Sequence, residues 1–225
     1  MRTIDQLLEA IRGEASRAVF PIDMPVYERA GKNPLDPILF AGSLDAPICV
    51  VGRDLGKDEV AAGQPLIGAG GRLVRTGFHQ AKYGTSPPIT DRTLESVLDR
   101  VLLTNTVPYK PPGNKAYATS VKQRFRPYLA ELLAIHWRGG TKVITLGNEA
   151  FQWFAPYMKD PEAFWNQEDR YEASISCCLS AESEGAIVKK TLIVMPLPHP
   201  SPLNARWYSR FPDLLLKRLT TPVTH

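Results

Sequence analysis

The chain has 225 residues, of which 44% are apolar and 22% charged, with a net charge of +4 and a sequence pI near 9.0. That length suits one domain with a substantial core, and the composition excludes a disordered or fibrous chain. No apolar run approaches the ~20 residues a membrane-spanning helix needs, and the basic balance is compatible with a polyanionic partner without specifying one.

The opening stretch MRTIDQLLEAIRGEASR predicts an amphipathic helix. It carries acidic residues and lacks the apolar stretch and small-residue cleavage site of an export signal, so a cytoplasmic location is expected. Short apolar runs predict buried strands at Ile48–Val51, Val101–Thr104, Lys142–Leu146 and Leu192–Met195. Helical patterns lie between and after them at Gly71–Ala81, Thr93–Arg100, Ser120–Trp137, Asn148–Tyr157 and Trp207–Leu219. Residues 172–190 break the rhythm and read as a hairpin leading into the last strand. Alternation of this kind predicts an α/β fold, a three-layer α-β-α sandwich on a central four-stranded parallel sheet, with residues 1–225 as a single domain. Cys49 lies inside an apolar run and reads as a small buried hydrophobe; Cys177 and Cys178 have no companion cysteines at metal-ligand spacing. Neither a disulfide framework nor a metal site is expected.

In open parallel sheets, ligands collect outside the carboxyl ends of the strands. Three strands are followed there by unusual sequence: Gly52-Arg-Asp-Leu-Gly56 running on to Gly63-Gln-Pro-Leu-Ile-Gly68, then Asn105-Thr-Val-Pro-Tyr-Lys-Pro-Pro-Gly-Asn114, then Pro196-Leu-Pro-His-Pro-Ser-Pro-Leu-Asn204. Read bare, the first is a glycine-rich connection whose amides can hold a phosphate or a carbonyl oxygen. No Gly-x-Gly-x-x-Gly follows the strand and no Gly-Lys-Ser/Thr phosphate loop is present, which argues against a nucleotide cofactor.

These loops resemble the uracil-DNA glycosylase superfamily, and within it the thermophile-type, iron–sulphur enzymes. Positions 52–73 align without a gap to a first motif of the form G-E-x-P-G-x-x-E-D-x-x-G-x-P-F-V-G-x-A-G-x-L. The second loop is similar to N-V-x-x-C-R-P-P-x-N-R, and Lys142-Val-Ile-Thr-Leu-Gly-Asn-Glu-Ala150 to the third strand and following helix. His199-Pro-Ser-Pro-Leu-Asn204 is close to the H-P-S-P-L-S motif of the best-known uracil glycosylases. The resemblance covers about positions 21–219. It implies a monofunctional DNA glycosylase that extrudes uracil from DNA and hydrolyses its N-glycosidic bond. It further implies uracil-containing DNA as partner; a monomer is expected, and no cofactor, because the cysteines that hold the cluster in those enzymes are missing.

Carried over residue by residue, the resemblance gives Asn105 the reading of the uracil edge, since one amide can donate to a carbonyl and accept from N3–H; otherwise it is a turn-capping asparagine. His199 would donate to the carbonyl oxygen that gains charge. Leu203 resembles the apolar wedge that fills the vacated base position, with a loop anchor as the alternative. Ser201 belongs to the same DNA-contacting motif. Arg206 and Arg210, one turn apart on the last predicted helix, and Lys110 and Lys115 beside the proline pair, read as phosphate contacts or as a solvated basic face. Gly52 opens the substrate loop, and Glu59 aligns with the residue that crowds the C5 side of the base.

The sequence also departs from that family. The four cluster cysteines fall on Pro21, Met24, Tyr109 and Phe125, so no cluster is expected, with Tyr109 and Phe125 filling its space. The glutamate after the first glycine is replaced by Arg53, which cannot act as a base. Asp54 follows, at the position of the aspartate in the G-Q-D-P-Y-H motif of the best-known enzymes; it is either the water-positioning carboxylate or a loop cap. Leu66 stands where the family stacks a phenylalanine on the base. Two other readings stay open: action on another deaminated or mismatched base, or a non-catalytic damage-binding module.

Overall fold

The computed structural model describes residues 1–91, 93–113 and 115–220. The opening helix, α1 (Ile4–Arg17), starts at a reciprocal cap in which Thr3 Oγ1 accepts from Gln6 N and Gln6 Oε1 accepts from Thr3 N. This satisfies two otherwise orphaned donors. Its apolar stripe, Leu7, Ile11 and Ala15, is buried.

The sheet is mixed and six-stranded, in the order β1-β3-β2-β4-β6-β5. The strands are β1 (Phe40–Gly42), β2 (Ile48–Gly52), β3 (Val101–Asn105), β4 (Lys142–Leu146), β5 (Ile175–Ser183) and β6 (Ala186–Leu197). Parallel ladders join β3 to β2, β2 to β4 and β4 to β6. Each edge is closed by an antiparallel neighbour, β1 on β3 and β5 on β6. The expectation of a four-stranded sheet is corrected on that point: the predicted hairpin is itself part of the sheet. In β6, Ala186–Val194 pair with β5, and the last five residues, Ile193–Leu197, pair with Lys142–Leu146.

Helices cover both faces. Cys49, Val51, Leu102, Val143 and Val194 face one core with α1, α5 (Thr119–Glu131) and α6 (Asn148–Phe154). Val50, Leu103, Ile144 and Met195 face a second core with α4 (Ala69–Tyr83) and α9 (Phe211–Thr220). Successive strand side chains point to opposite faces, so strands covered on both faces read as unbroken apolar runs. That is why β2 and β3 were visible in sequence.

Three helix expectations are corrected. Thr93–Arg100 contains only a 3₁₀ turn, Glu95–Val97. Leu94 takes a left-handed backbone (φ 50°) with its side chain fully buried, which stops a helix from starting at Thr93. Ser120–Trp137 is an α-helix only to Glu131 and continues as a π-helical turn, Leu132–His136. Trp207–Leu219 breaks into α8 (Ala205–Tyr208) and α9. The short helices α2 (Met24–Arg29), α3 (Lys57–Ala62) and α7 (Pro161–Trp165) were not expected.

Candidate active site

The loops after β2, β3 and β6 meet at the carboxyl end of the parallel strands around a cavity of about 940 Å³. The register of the sheet sets its floor. Gly52 and Asn105 are ladder partners at the last position of β2 and β3. A Cβ on Gly52 would stand 2.8 Å from Asn105 Nδ2 and 3.1 Å from Leu66 Cδ2, so glycine is what lets the amide lie flat across the strand end. Asn105 is only 2% exposed, and its Oδ1 has no hydrogen-bond partner. An unsatisfied buried acceptor costs about 1–3 kcal/mol, which an incoming N–H would recover.

Leu66 forms the adjoining wall in a left-handed conformation (φ 53°), a genuine strain for a branched residue. Two buried charges hold it there. The carboxylate of Glu59 accepts from Gly56 N at 2.9 Å, Ile67 N at 3.0 Å and Gly68 N at 2.8 Å. From α4, Arg75 is fully buried and donates to the carbonyls of Leu66 (2.9 Å), Pro65 (3.3 Å) and Thr93 (2.6 Å) and to Gln64 Oε1 (3.1 Å). Glu59 lines the cavity, but both its oxygens are engaged in bracing the loop.

Asp54 is the opposite case. Its side chain is 4% exposed, and neither carboxylate oxygen has a hydrogen bond. Arg53 Nε lies 2.8 Å from Asp54 Oδ2, but the adjacent side chains are misaligned, which leaves a Coulombic contact without a directed bond. Burial pushes the Asp54 carboxyl up; Arg53 and then Lys122 oppose this, and Glu149 adds to it. Tyr117, 3% exposed, has a hydroxyl without a partner. Its phenol is pushed up first by burial, then by Tyr27 and by the Asp54 charge.

His199 lines the same cavity, open to solvent yet flanked closely enough that burial, and then the charge of Arg53, lower its basicity. Gly147, at φ 84° just after β4, supports it: a Cβ there would come within 3.0 Å of His199 Cβ. The carbonyl of His199 accepts from Ser201 N (2.9 Å) and Asn204 Nδ2 (3.2 Å), fixing a tight turn. That turn thrusts Leu203 out, at 96% exposure, on the cavity rim beside Ser201.

The structure thus brings together Gly52, Arg53, Asp54, Glu59, Leu66, Asn105, His199, Ser201 and Leu203 on one cavity. Lys115, Arg206 and Arg210 are exposed and lie outside its lining; Arg206 and Arg210 pack over the Trp207 ring at 5.3 and 4.8 Å. Lys110 is a correction. It is 3% exposed, and its ammonium is consumed by Asp23 (2.7 Å) and the carbonyls of Pro111 (2.9 Å) and Gly113 (2.7 Å). A phosphate cannot reach it. Tyr117, Asn204 and Arg75 were missed in sequence; Asn204 alone had a signal, as the last residue of the proline-rich motif.

A mixed sheet whose parallel strands aim an amide, a carboxylate and an imidazole into one crevice belongs to the ligand-binding α/β class. Within that class, the sequence model of the uracil DNA glycosylase superfamily matches residues 40–220, and the chain belongs to that superfamily. Membership makes it a glycosylase-type hydrolase acting on DNA. A search of curated proteins returns no match. Among the described residues, no helix is long and apolar enough to cross a membrane.

Proposed function

We propose that the protein releases uracil from DNA by monofunctional hydrolysis of its N-glycosidic bond, with the base extruded into the cavity between the three loops. The observation that carries this reading is Asn105: a buried amide whose Oδ1 lacks a partner and whose Nδ2 lies beside Gly52, at the end of the cavity floor. Such an amide accepts from uracil N3–H and donates to the neighbouring carbonyl, whereas cytosine presents no N–H at that position.

Asp54 then orients a water toward the sugar C1′ and offsets positive charge there. As the C1′–N1 bond breaks, its electron pair leaves with the base, and a neutral His199 donates to the carbonyl oxygen that takes up the charge. The water's proton passes to the carboxylate, its hydroxyl stays on C1′, and an abasic site remains. Leu203 is suited to enter the base stack, and Ser201, Lys115, Arg206 and Arg210 to meet the phosphate backbone.

The four positions aligned with cluster cysteines do not fit an iron–sulphur cluster, which needs thiolates. Tyr109 and Phe125 are fully buried with ring centroids 5.4 Å apart, and each packs on Phe20 (5.3 and 5.1 Å). Tyr109 also donates to the carbonyl of Leu35 at 3.0 Å. Pro21 and Met24 are exposed. No step of the reaction is assigned to such a group.

One observation favours a second reading, action on a further deaminated base. Among the described residues lining the cavity there is no Phe, Tyr or Trp, so stacking does not restrict the ring, and Leu66 supplies aliphatic contact instead. The test is incubation with single- and double-stranded oligonucleotides carrying uracil, hypoxanthine or xanthine, followed by alkali. Scission of the uracil strands only after alkali supports the first reading; scission confined to the other bases selects the second. Binding without any scission defeats both.

A further inference from the structure

We propose that Arg53 is a positioning residue: packed against Asp54 and lining the same cavity as His199, its guanidinium fixes the charge state of the site, keeping the carboxyl ionised and the imidazole neutral at the same pH. The inference rests on the reaction proposed above.

A carboxylate that is 4% exposed and has no hydrogen bond to either oxygen should bind a proton unless a cation holds it ionised. Arg53 Nε, 2.8 Å from Oδ2, is in contact with it. The other charged groups near Asp54 carry both signs, and Glu59 on the same cavity is held by three backbone amides. Lys122 from α5 and Glu149 from α6 are ion-paired with each other, and they act on Asp54 with opposite sign. Tyr117, in the segment before α5, contributes a neutral hydroxyl. Asn105 from β3 is neutral, and Lys57 and Asp58 of α3, on the same cavity, are of opposite charge.

His199 lines the cavity that this cation also lines. After burial, Arg53 is the charge that lowers its basicity. The two effects are therefore linked. Arg53 depresses a carboxyl that burial raises, and it disfavours the imidazolium that would otherwise form as pH falls. Bond heterolysis requires both: a negative carboxylate facing the sugar, and an N–H donor that is free to gain affinity as the carbonyl becomes an oxyanion. Arginine suits the task because it does not lose its proton near neutrality, so its charge cannot be titrated away.

Removing the cation raises the midpoints of both Asp54 and His199, so activity is lost at higher pH on acidification. The experiment is a carboxyl ¹³C and imidazole ¹⁵N NMR titration of the full chain, with pH–rate profiles of uracil release, for the native protein, Arg53→Gln and Arg53→Lys. Arg53→Gln is expected to raise both midpoints and to lower the acid-side rate about tenfold relative to its plateau, the change one pKa unit produces. Arg53→Lys should restore most of it. Unmoved midpoints in folded Arg53→Gln overturn the proposal. Weaker DNA binding with an unmoved acid limb makes Arg53 a phosphate contact, and a faster rate at every pH with unmoved midpoints makes it a cover over Asp54; either outcome also overturns it. Should Arg53→Gln fail to fold, Arg53→Met is the neutral comparison. The titration needs no turnover, so absence of uracil release from the native protein would refute the reaction while leaving the charge assignment to be judged by the midpoints.

Discussion

Two regions at opposite ends of one loop use their side chains in contrary ways. In the corner formed by Phe20, Tyr109 and Phe125, every ring is covered, and the one polar atom of Tyr109 has a partner. A few residues away, the cavity wall leaves Asn105 Oδ1 and both oxygens of Asp54 buried and without hydrogen bonds. Native proteins rarely tolerate such atoms, and on the wall of a cavity they are bonding capacity that a ligand can use. A closed region should lose stability when it is cut, and an open one should lose chemistry.

The largest break in that contrast should come from Asp54→Asn, which keeps shape and removes charge. Uracil release is expected to fall roughly 10²–10⁴-fold, with DNA affinity and fold retained. The same variant should melt no lower at neutral pH. The folded-state pKa of Asp54 is raised above its unfolded value, so ionising it costs stability as pH climbs through the interval between the two, and the asparagine removes that cost. Retained activity would make Asp54 a loop cap.

His199→Ala should cost about 10²-fold in bond cleavage, the scale of one oxyanion donor, and much less in DNA binding. Equal losses in both would turn it into a support for its loop. In the closed region, Tyr109→Ala or Phe125→Ala should destabilise the fold by roughly 3–5 kcal/mol in denaturant unfolding; near-neutral values would show the corner to be loosely packed. The smallest effects separate two kinds of cation. Arg206→Ala should weaken DNA binding and lower the salt slope by about 1, whereas Lys110→Met should lower the melting temperature and leave that slope unchanged.

How far sequence carried the reading can be judged from particular residues. The inner strands were legible because burial on both faces writes them as apolar runs, and the three loops because their glycines, prolines and asparagine sit at strand ends. The early half of β6 has only exposed and half-buried positions and so merges with the hairpin. Lys110 was misread for a physical reason: its partner Asp23 lies 87 positions away, and nothing local announces a buried ion pair. Glu59 and Asp54, five positions apart, are read from sequence as a steric gate beside the base and as the catalytic carboxylate or a loop cap. Only the structure shows that one is bound by three amides and the other by none.

The left-handed turn at Leu66 has an evolutionary consequence. Its carbonyl is held by Arg75, a cation with no carboxylate bonded to it, whose charge is dispersed over three carbonyls and one amide. Neither residue makes sense without the other: a different side chain at 66 leaves Arg75 gripping a loop that no longer turns the same way, and losing Arg75 frees a strained residue to relax. Brace and turn form one mechanical unit, and a change at either is expected to alter what the other can tolerate. Libraries randomised at both positions and selected for folding should return paired solutions, with few survivors altered at one position alone.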